Sequence, residues 1–123
     1  MTAETTILAV DTNRRNLELL TQQLESEGYE TRTAGSLEEI DEHMDHESSG
    51  AEIGLALIDI SGFDERIWER CERLREGSVP FVVLTQQRSP AVQRAGIRHG
   101  ASTIAVKPLR VPDLLEFIRA LLG

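Results

Sequence analysis

The chain has 123 residues, of which 40% are hydrophobic and 28% charged, a composition typical of one globular domain that folds by itself. Its formal net charge of −8 at pH 7 argues against direct binding to nucleic acid or to an anionic membrane, because phosphate groups would be repelled. The lone Cys71 excludes an internal disulfide, and we expect neither a secretory signal nor a membrane-spanning apolar run. We therefore expect one cytoplasmic domain over residues 1–123.

The basic residues show a strong bias towards arginine, since all of them except Lys107 are arginines. A GC-rich genome would produce this bias. Adaptation to high intracellular salt, where screening weakens the repulsion between carboxylates, would also fit the acidic composition. The sequence leaves both explanations open.

Short apolar runs rich in β-branched residues alternate with helical patterns along the chain, which predicts βαβ units and a parallel sheet. The first strand is predicted at residues 6–10. The following helix carries Leu17, Leu20 and Leu24 on one face. Gly28 is expected to end that helix.

The second strand and helix are indicated by polar residues as much as by apolar ones. Residues 29–33 form a short, polar run that suits an edge strand. Ser36, followed three residues later by Glu39, is a capping box that begins the second helix. The predicted buried face of this helix comprises Leu37, Ile40 and Met44.

The third and fourth strands are predicted at residues 53–58 and 81–84, which are apolar almost throughout. Such runs are expected for central parallel strands that helices cover on both faces. A third helix between them should end near Glu76, before Gly77 and Pro80. Its predicted buried face comprises Trp68, Cys71 and Leu74.

The fifth strand, at residues 103–106, is expected to lie between the last two helices. Ser89 and Pro90 have the character of an N-cap and a first helical residue, so the fourth helix is predicted at residues 90–99. Pro112 should begin the fifth helix. Its apolar face is predicted from Leu114, Leu115, Ile118 and Leu122.

Four of the five predicted strands end abruptly in a polar residue, namely Asp11, Asp59, Thr85 and Lys107. The carboxyl ends of parallel strands share one edge of the sheet, and ligands bind there, so these side chains should meet. Carboxylates suit Mg²⁺, whereas an ammonium and a hydroxyl suit phosphate oxygens. An aspartate at such an edge can also be the nucleophile that becomes an aspartyl phosphate.

The blocks ILAVDTNRRN, LALIDIS, VVLTQQ and AVKPL resemble those of response-regulator receiver domains of two-component signal transduction, the CheY-like family. The resemblance implies a flavodoxin-like α/β fold, a doubly wound five-stranded parallel sheet in the order 2-1-3-4-5 with helices on both faces. It implies a phosphorelay function in which a histidine kinase or phosphotransfer protein donates a phosphoryl group to Asp59. The face made by the fourth helix, fifth strand and fifth helix would then change and engage a downstream protein or fused output domain. Such a chain is a signalling domain, not an enzyme.

The resemblance also assigns roles to individual residues. Asp59 is similar to the phosphoacceptor and Lys107 to the phosphate-binding lysine. Thr85 is similar to the hydroxyl that moves onto the phosphate on activation. Asp11, Asp59 and the main-chain carbonyl of Ser61 are similar to the ligands of the Mg²⁺ cofactor.

Several positions depart from the family pattern or add to it. Thr12, followed by Asn13, stands where receivers carry a carboxylate that binds Mg²⁺ directly, so weaker metal binding and slower phosphotransfer are expected. Ile104 replaces the usual Tyr or Phe of the threonine–aromatic switch, which therefore cannot operate unaltered. Residues 62–64, GFD, replace a Met-Pro-Gly stretch. Pro108 resembles a family proline whose preceding bond is often cis.

Two other functions compete with the phosphorylated receiver. A non-phosphorylated pseudo-receiver would serve as a protein-interaction or dimerisation module, and homodimerisation stays open for either form. A phosphatase with an aspartate nucleophile, or a mononucleotide protein, is disfavoured. The phosphatase would need a second aspartate where the chain has Ser61, and DTNRRN has no glycine to approach a phosphate.

Three remaining residue types have simpler expected roles. Asp11 could cap the following helix as well as hold a metal. Cys71 is expected to pack as a small core residue. The three histidines, His43, His46 and His99, have no second ligand at metal spacing, so we expect them to be exposed to solvent.

Overall fold

In the computed structural model, the described residues are 6–45, 53–87, 89–107 and 109–122. They form strands that alternate with helices. The strands are β1 (Thr6–Val10), β2 (Glu30–Ala34), β3 (Ile53–Asp59), β4 (Phe81–Thr85) and β5 (Thr103–Val106). The helices are α1 (Arg14–Ser26), α2 (Leu37–Asp45), α3 (Ile67–Glu76), α4 (Pro90–Arg98) and α5 (Val111–Leu122). Within these ranges no helix is long and apolar enough to cross a membrane.

The strands form one sheet in the order β2-β1-β3-β4-β5, and every pair is parallel. This is the predicted order. The register pairs Asp59 with Leu84 and Thr85 with Val106, so the carboxyl ends of β3, β4 and β5 finish at nearly the same level. The polar residues at the carboxyl ends of these strands consequently lie along one edge.

The core is divided by the sheet into two layers, because successive side chains of a strand point to opposite faces. One layer packs the strands against α2 and α3, and its buried members include Leu8, Ile40, Ile58, Cys71 and Leu74. The other packs them against α1 and α5, and its buried members include Ile7, Leu24, Leu57, Leu114 and Ile118. Helices on both faces confirm the doubly wound α/β fold.

The capping box predicted for α2 is present, with one change. The main-chain nitrogen of Glu39 donates to Ser36 Oγ at 3.2 Å. Glu39 Oε1 accepts from the main-chain nitrogen of Gly35 at 2.8 Å, one residue earlier than the usual reciprocal bond to the N-cap. The two bonds fix the point at which the chain leaves β2 and enters α2.

Some predicted boundaries differ from the observed ones. β2 begins and ends one residue later than predicted, because Ala34 is buried and its carbonyl accepts a bond from the nitrogen of Asp11 at 3.1 Å. The fifth helix begins at Val111 instead of Pro112. Ser89 occupies the N-cap position of α4, but its side chain makes no capping hydrogen bond.

The expectation that the histidines are solvent-exposed is wrong for two of them. His43 is half-buried, and its Nε2 lies 2.8 Å from a main-chain carbonyl oxygen of β2. His99 Nδ1 lies 2.9 Å from Glu72 Oε1. The His99 ring also stacks on Trp68, with the centroids 5.3 Å apart and the planes inclined by 15°. His46 lies outside the described residues.

Candidate functional site

Asp59 and Lys107 form an ion pair at the carboxyl edge of the sheet. Asp59 is the last residue of β3 and is only 2% exposed. Lys107 directly follows β5, and its Nζ donates to Asp59 Oδ2 at 2.6 Å, although the two residues are 48 positions apart. The lysine side chain is 27% exposed. The buried carboxylate therefore has a cation beside it that still reaches solvent.

The second carboxylate oxygen of Asp59 is held by the loop that follows β3. The main-chain nitrogen of Ser61 donates to Asp59 Oδ1 at 2.9 Å. Each oxygen of the carboxylate thus has one strong donor, and the orientation of the side chain is fixed from both sides. Sequence reasoning identified Ser61 by its carbonyl and did not anticipate this contact of its amide.

Asp11, which follows β1, is the second buried carboxylate of this edge. Its Oδ1 accepts from the main-chain nitrogen of Asn13 at 2.8 Å. Burial, together with the nearby Asp59 carboxylate, raises the pKa of Asp11, although the Asn13 amide and the Lys107 ammonium oppose that rise. Negative charge at this edge is therefore only partly offset by Lys107.

Asp11 is not the N-cap of α1, which was the alternative role considered for it. The N-cap is Asn13, whose Oδ1 accepts from the main-chain nitrogen of Asn16 at 3.1 Å. Asp11 instead holds the turn before the helix, through its bond to the Asn13 amide. Its side chain remains at the sheet edge beside Asp59.

Thr85 lies at the same edge, and its hydroxyl is bonded to the loop that follows β4. Thr85 is buried at the end of β4. Its Oγ1 donates to the carbonyl oxygen of Gln87 at 3.2 Å, in the loop before α4. The main-chain nitrogen of Lys107 donates to the Thr85 carbonyl at 2.7 Å. The backbone of Thr85 is thus linked to Lys107, while its hydroxyl is engaged by the loop.

Thr12 contacts the loop after β3 directly. Its Oγ1 donates to the carbonyl oxygen of Ser61 at 3.2 Å. Gly62 allows the approach, because a Cβ on this residue would lie 2.5 Å from Thr12 Oγ1. The φ of Gly62 is +85°, which also favours glycine. Sequence reasoning treated Thr12 only as a poor metal ligand, and Gly62 was the available sign of a close approach.

Ile104, which the sequence analysis expected to stand in place of an aromatic residue, is inserted under α4. A Cβ on Gly96 would lie 2.4 Å from Ile104 Cδ1, so the missing side chain of Gly96 makes room for the isoleucine. Ile104 is half-buried and packs against the core layer of α2 and α3. The space between β5 and α4 is therefore filled by an aliphatic side chain that is stiff at χ1.

The predicted metal ligands have the right chemistry for a hard cation, but only two of them are carboxylates. Two carboxylates, Asp11 and Asp59, accompany the Ser61 carbonyl, and all three supply oxygen atoms. Across the described ranges no group of three His, Cys, Asp or Glu side chains is placed to hold a metal ion. The Ser61 carbonyl also already accepts the Thr12 hydroxyl. These residues fit a weakly held Mg²⁺ ion.

The proposed cis peptide cannot be placed in this site. Pro108 lies outside the described residues, so the isomer of the bond before it stays a prediction. The residue before it, Lys107, is described, and its main-chain nitrogen is paired with Thr85. The lysine is thus positioned by β5 and its pairing with β4.

A family model described as the response regulator receiver domain matches residues 7–119. The chain belongs to the response regulator receiver family. The polar-differentiation response regulator DivK of Brucella ovis is 28% identical over 119 residues, which cover 95% of each chain. A CheY-like receiver domain from Methanospirillum hungatei is 28% identical, with a TM-score of 0.81 over 96% of this chain and 93% of that one. The chemotaxis protein CheY4 of Vibrio cholerae is 25% identical, with a TM-score of 0.81, and covers 98% and 100% of the two chains.

Membership of the receiver family places the chain in two-component signalling. It also confirms the CheY-like, flavodoxin-like fold that the motif blocks implied. The matched range includes all four strand-end residues, as well as Thr12 and Ile104. This receiver domain thus has the family architecture, and the departures expected at Thr12 and Ile104 stay predictions.

Proposed function

We propose that this receiver domain works in a phosphorelay, accepting a phosphoryl group on Asp59 from a histidine kinase or phosphotransfer protein. The observation that carries the proposal is the 2.6 Å bond between Lys107 Nζ and Asp59 Oδ2 at the carboxyl edge of the sheet. A buried carboxylate with a fixed orientation and a cation beside it has the features of an aspartate nucleophile for phosphoryl transfer.

The chemistry follows from the contacts of Asp59. One of its oxygens would form a bond to phosphorus as the phosphorus–nitrogen bond of the donor phosphohistidine breaks. The Lys107 ammonium, now paired with Oδ2, would share its charge with a phosphoryl oxygen. The Ser61 amide would keep the aspartyl group in place. Mg²⁺ held by Asp11, Asp59 and the Ser61 carbonyl would supply further positive charge beside the phosphoryl oxygens.

The partner surface of this function is proposed on the face of α4, β5 and α5. Ile97, in α4, is 71% exposed. Arg94 and Arg98 are exposed on the same helix, Arg94 three residues before Ile97 and Arg98 directly after it. In the part of the chain that the structure describes, neither arginine has a carboxylate within ion-pair distance, although the chain has 21 acidic residues. These features support docking of a downstream protein, or a fused output domain, that presents apolar and acidic side chains.

We infer that the domain relays a signal rather than turning over a substrate, and that it does so in the cytoplasm. Phosphohistidine donors are made there from ATP. The net charge of −8 supports protein partners over direct contact with nucleic acid or an anionic membrane.

A second candidate function is that of a pseudo-receiver, which would act as an interaction or dimerisation module without phosphorylation. Two observations favour it. The Thr12 hydroxyl donates to one of the two lone pairs of the Ser61 carbonyl that would bind the metal, and it supplies no charge to the ion. Ile104 is packed against the Gly96 position of α4, so the usual exchange of an aromatic ring has no counterpart.

The two functions are separated by adding beryllofluoride, a mimic of the phosphoryl group, with Mg²⁺ and recording amide resonances by NMR. The phosphorylated receiver predicts shifts at Ser61, Thr85 and Lys107 that extend into α4. An Asp59→Asn control should show none of them. A wild-type spectrum that beryllofluoride and Mg²⁺ leave as unchanged as that of the control would support the pseudo-receiver and reject phosphorylation-dependent signalling.

A further inference from the structure

The loops after β1 and β3 are joined by one side chain. Thr12 Oγ1 donates to the Ser61 carbonyl at 3.2 Å, and the Thr12 side chain lies over Gly62, where a Cβ would be 2.5 Å from Oγ1 and 3.2 Å from Cβ and Cγ2. We call this contact of Thr12 with Ser61 and Gly62 the Thr12 clasp. It links the two loops with a hydrogen bond from a neutral group and needs no ion between them.

The clasp acts on the same residue that orients the phosphoacceptor. Ser61 donates its amide to Asp59 Oδ1 at 2.9 Å, while its carbonyl accepts the Thr12 hydroxyl. Ser61 lies in the turn of residues 60–63, which is closed by the amide of Phe63 donating to the Ile60 carbonyl at 3.2 Å. Fixing the Ser61 carbonyl therefore fixes the donor that holds Asp59.

We propose that Thr12 is a positioning residue that orders the loop after β3 without a divalent cation. This inference concerns the same edge of the sheet as the proposed function, but it does not depend on phosphorylation of Asp59. A threonine hydroxyl donates a hydrogen bond to a carbonyl, whereas an ionised carboxylate only accepts. A carboxylate at position 12 would repel the Ser61 carbonyl oxygen and would need a cation between the two. Compared with a carboxylate, the Thr12 hydroxyl thus weakens metal binding but orders the loop after β3 when no metal is bound.

The inference is tested by measuring amide hydrogen exchange of Ser61 and Phe63 by NMR, with EDTA and with saturating Mg²⁺. Without metal, Thr12→Val should speed exchange at both amides by roughly two- to tenfold, the range expected for loss of one hydrogen bond. Thr12→Ser, which keeps the hydroxyl, should exchange as the wild type does. Thr21→Val is a matched control, because the Thr21 hydroxyl is buried without a partner in the described structure, and it should leave both amides unchanged.

Thr12→Asp provides the opposite test. In this variant, the Ser61 and Phe63 amides should exchange faster than in the wild type when EDTA is present, and Mg²⁺ should protect them again. Mg²⁺ should protect these amides less in the wild type, where the Thr12 hydroxyl already orders the loop, than in Thr12→Asp. Binding of Mn²⁺, followed by electron paramagnetic resonance, should be tighter in Thr12→Asp than in the wild type by roughly tenfold, because the site gains a carboxylate.

Two results would overturn the inference. One is a Thr12→Val chain whose Ser61 and Phe63 amides exchange at the wild-type rate in EDTA. The other is a wild-type chain in which Mg²⁺ protects those amides as much as it does in Thr12→Asp. Neither measurement involves a phosphoryl group, so failure of the clasp and failure of phosphorylation at Asp59 are seen separately.

Discussion

Lys107 Nζ lies 2.6 Å from Oδ2 of Asp59, so the only lysine of the chain is paired with the most buried carboxylate among the residues that the structure describes. β5 carries the lysine to this position, and β3 carries the aspartate, with β4 between them. The pair offsets one of two negative charges at the sheet edge, since Asp11 is buried nearby. The stability of this edge and the phosphoryl transfer proposed for it would therefore both depend on the same ammonium.

Removing that ammonium should destabilise the fold. Lys107→Met keeps most of the apolar stem but leaves Asp59 without its cation, and we expect the free energy of unfolding to fall by about 1–3 kcal/mol. This is less than the loss for a fully buried pair, because the lysine is partly exposed. Urea unfolding measures the change. In an Asp59→Asn background the same substitution should cost less, and an equal loss in both backgrounds would show that the pair is not coupled.

Filling the Gly96 position should have opposite effects in two backgrounds. Gly96→Ala in the wild type should lower the free energy of unfolding by about 1–3 kcal/mol, because the new Cβ would overlap Ile104 Cδ1 at 2.4 Å. In an Ile104→Ala background the overlap is gone, and the better helix propensity of alanine should stabilise the chain by up to about 1 kcal/mol. Urea unfolding of the four chains tests this. The same sign of effect in both backgrounds would contradict the packing described for Ile104.

Asp41 holds α2 to α3 through two arginines. Its Oδ2 accepts from Arg70 Nη2 at 2.8 Å, and its Oδ1 accepts from Arg73 Nη1 at 3.0 Å. Asp41→Asn should cost about 1 kcal/mol of unfolding free energy, and the cost should shrink at high salt because the charges are partly exposed. Glu42→Gln, at an exposed position of the same helix, is the control and should change little. Equal costs for the two variants would mean that the bridge contributes nothing.

Cys71 makes stability depend on pH in the alkaline range. Burial raises the pKa of its thiol to about 12, so the neutral thiol is favoured in the folded chain. The stabilisation is fully present below the unfolded pKa of about 8.5 and is lost as the pH rises towards the folded value. Over that window the free energy of unfolding should therefore fall more steeply in the wild type than in Cys71→Ala. Parallel pH profiles of the two chains would show that the thiol ionises as easily in the fold as outside it.

The sheet could be predicted from the sequence because its signals are local. Each central strand is an apolar run that a polar residue ends, and parallel strands bring those ends to one edge. The one-residue error in β2 arose because Ala34, small and flanked by polar residues, looks like part of a loop. In the structure it is buried and bonded to the residue after β1.

The contacts that sequence reasoning missed depend on neighbours brought together by the fold. His99 pairs with Glu72 and stacks on Trp68, about 30 positions away, and no local pattern marks either partner. The positions of Asp59 and Thr85 follow from strand ends, but the direction of the Thr85 hydroxyl depends on the loop before α4. The bond of Thr12 to Ser61 likewise depends on how two distant loops approach each other.

The central claim, that Asp59 accepts a phosphoryl group, is tested most directly by intact mass spectrometry after incubation with acetyl phosphate and Mg²⁺, at low and at high salt. The account predicts one added phosphoryl group on the wild type and none on Asp59→Asn. Folded wild-type protein that gains no mass at either salt concentration would contradict it, and the domain would then be a pseudo-receiver.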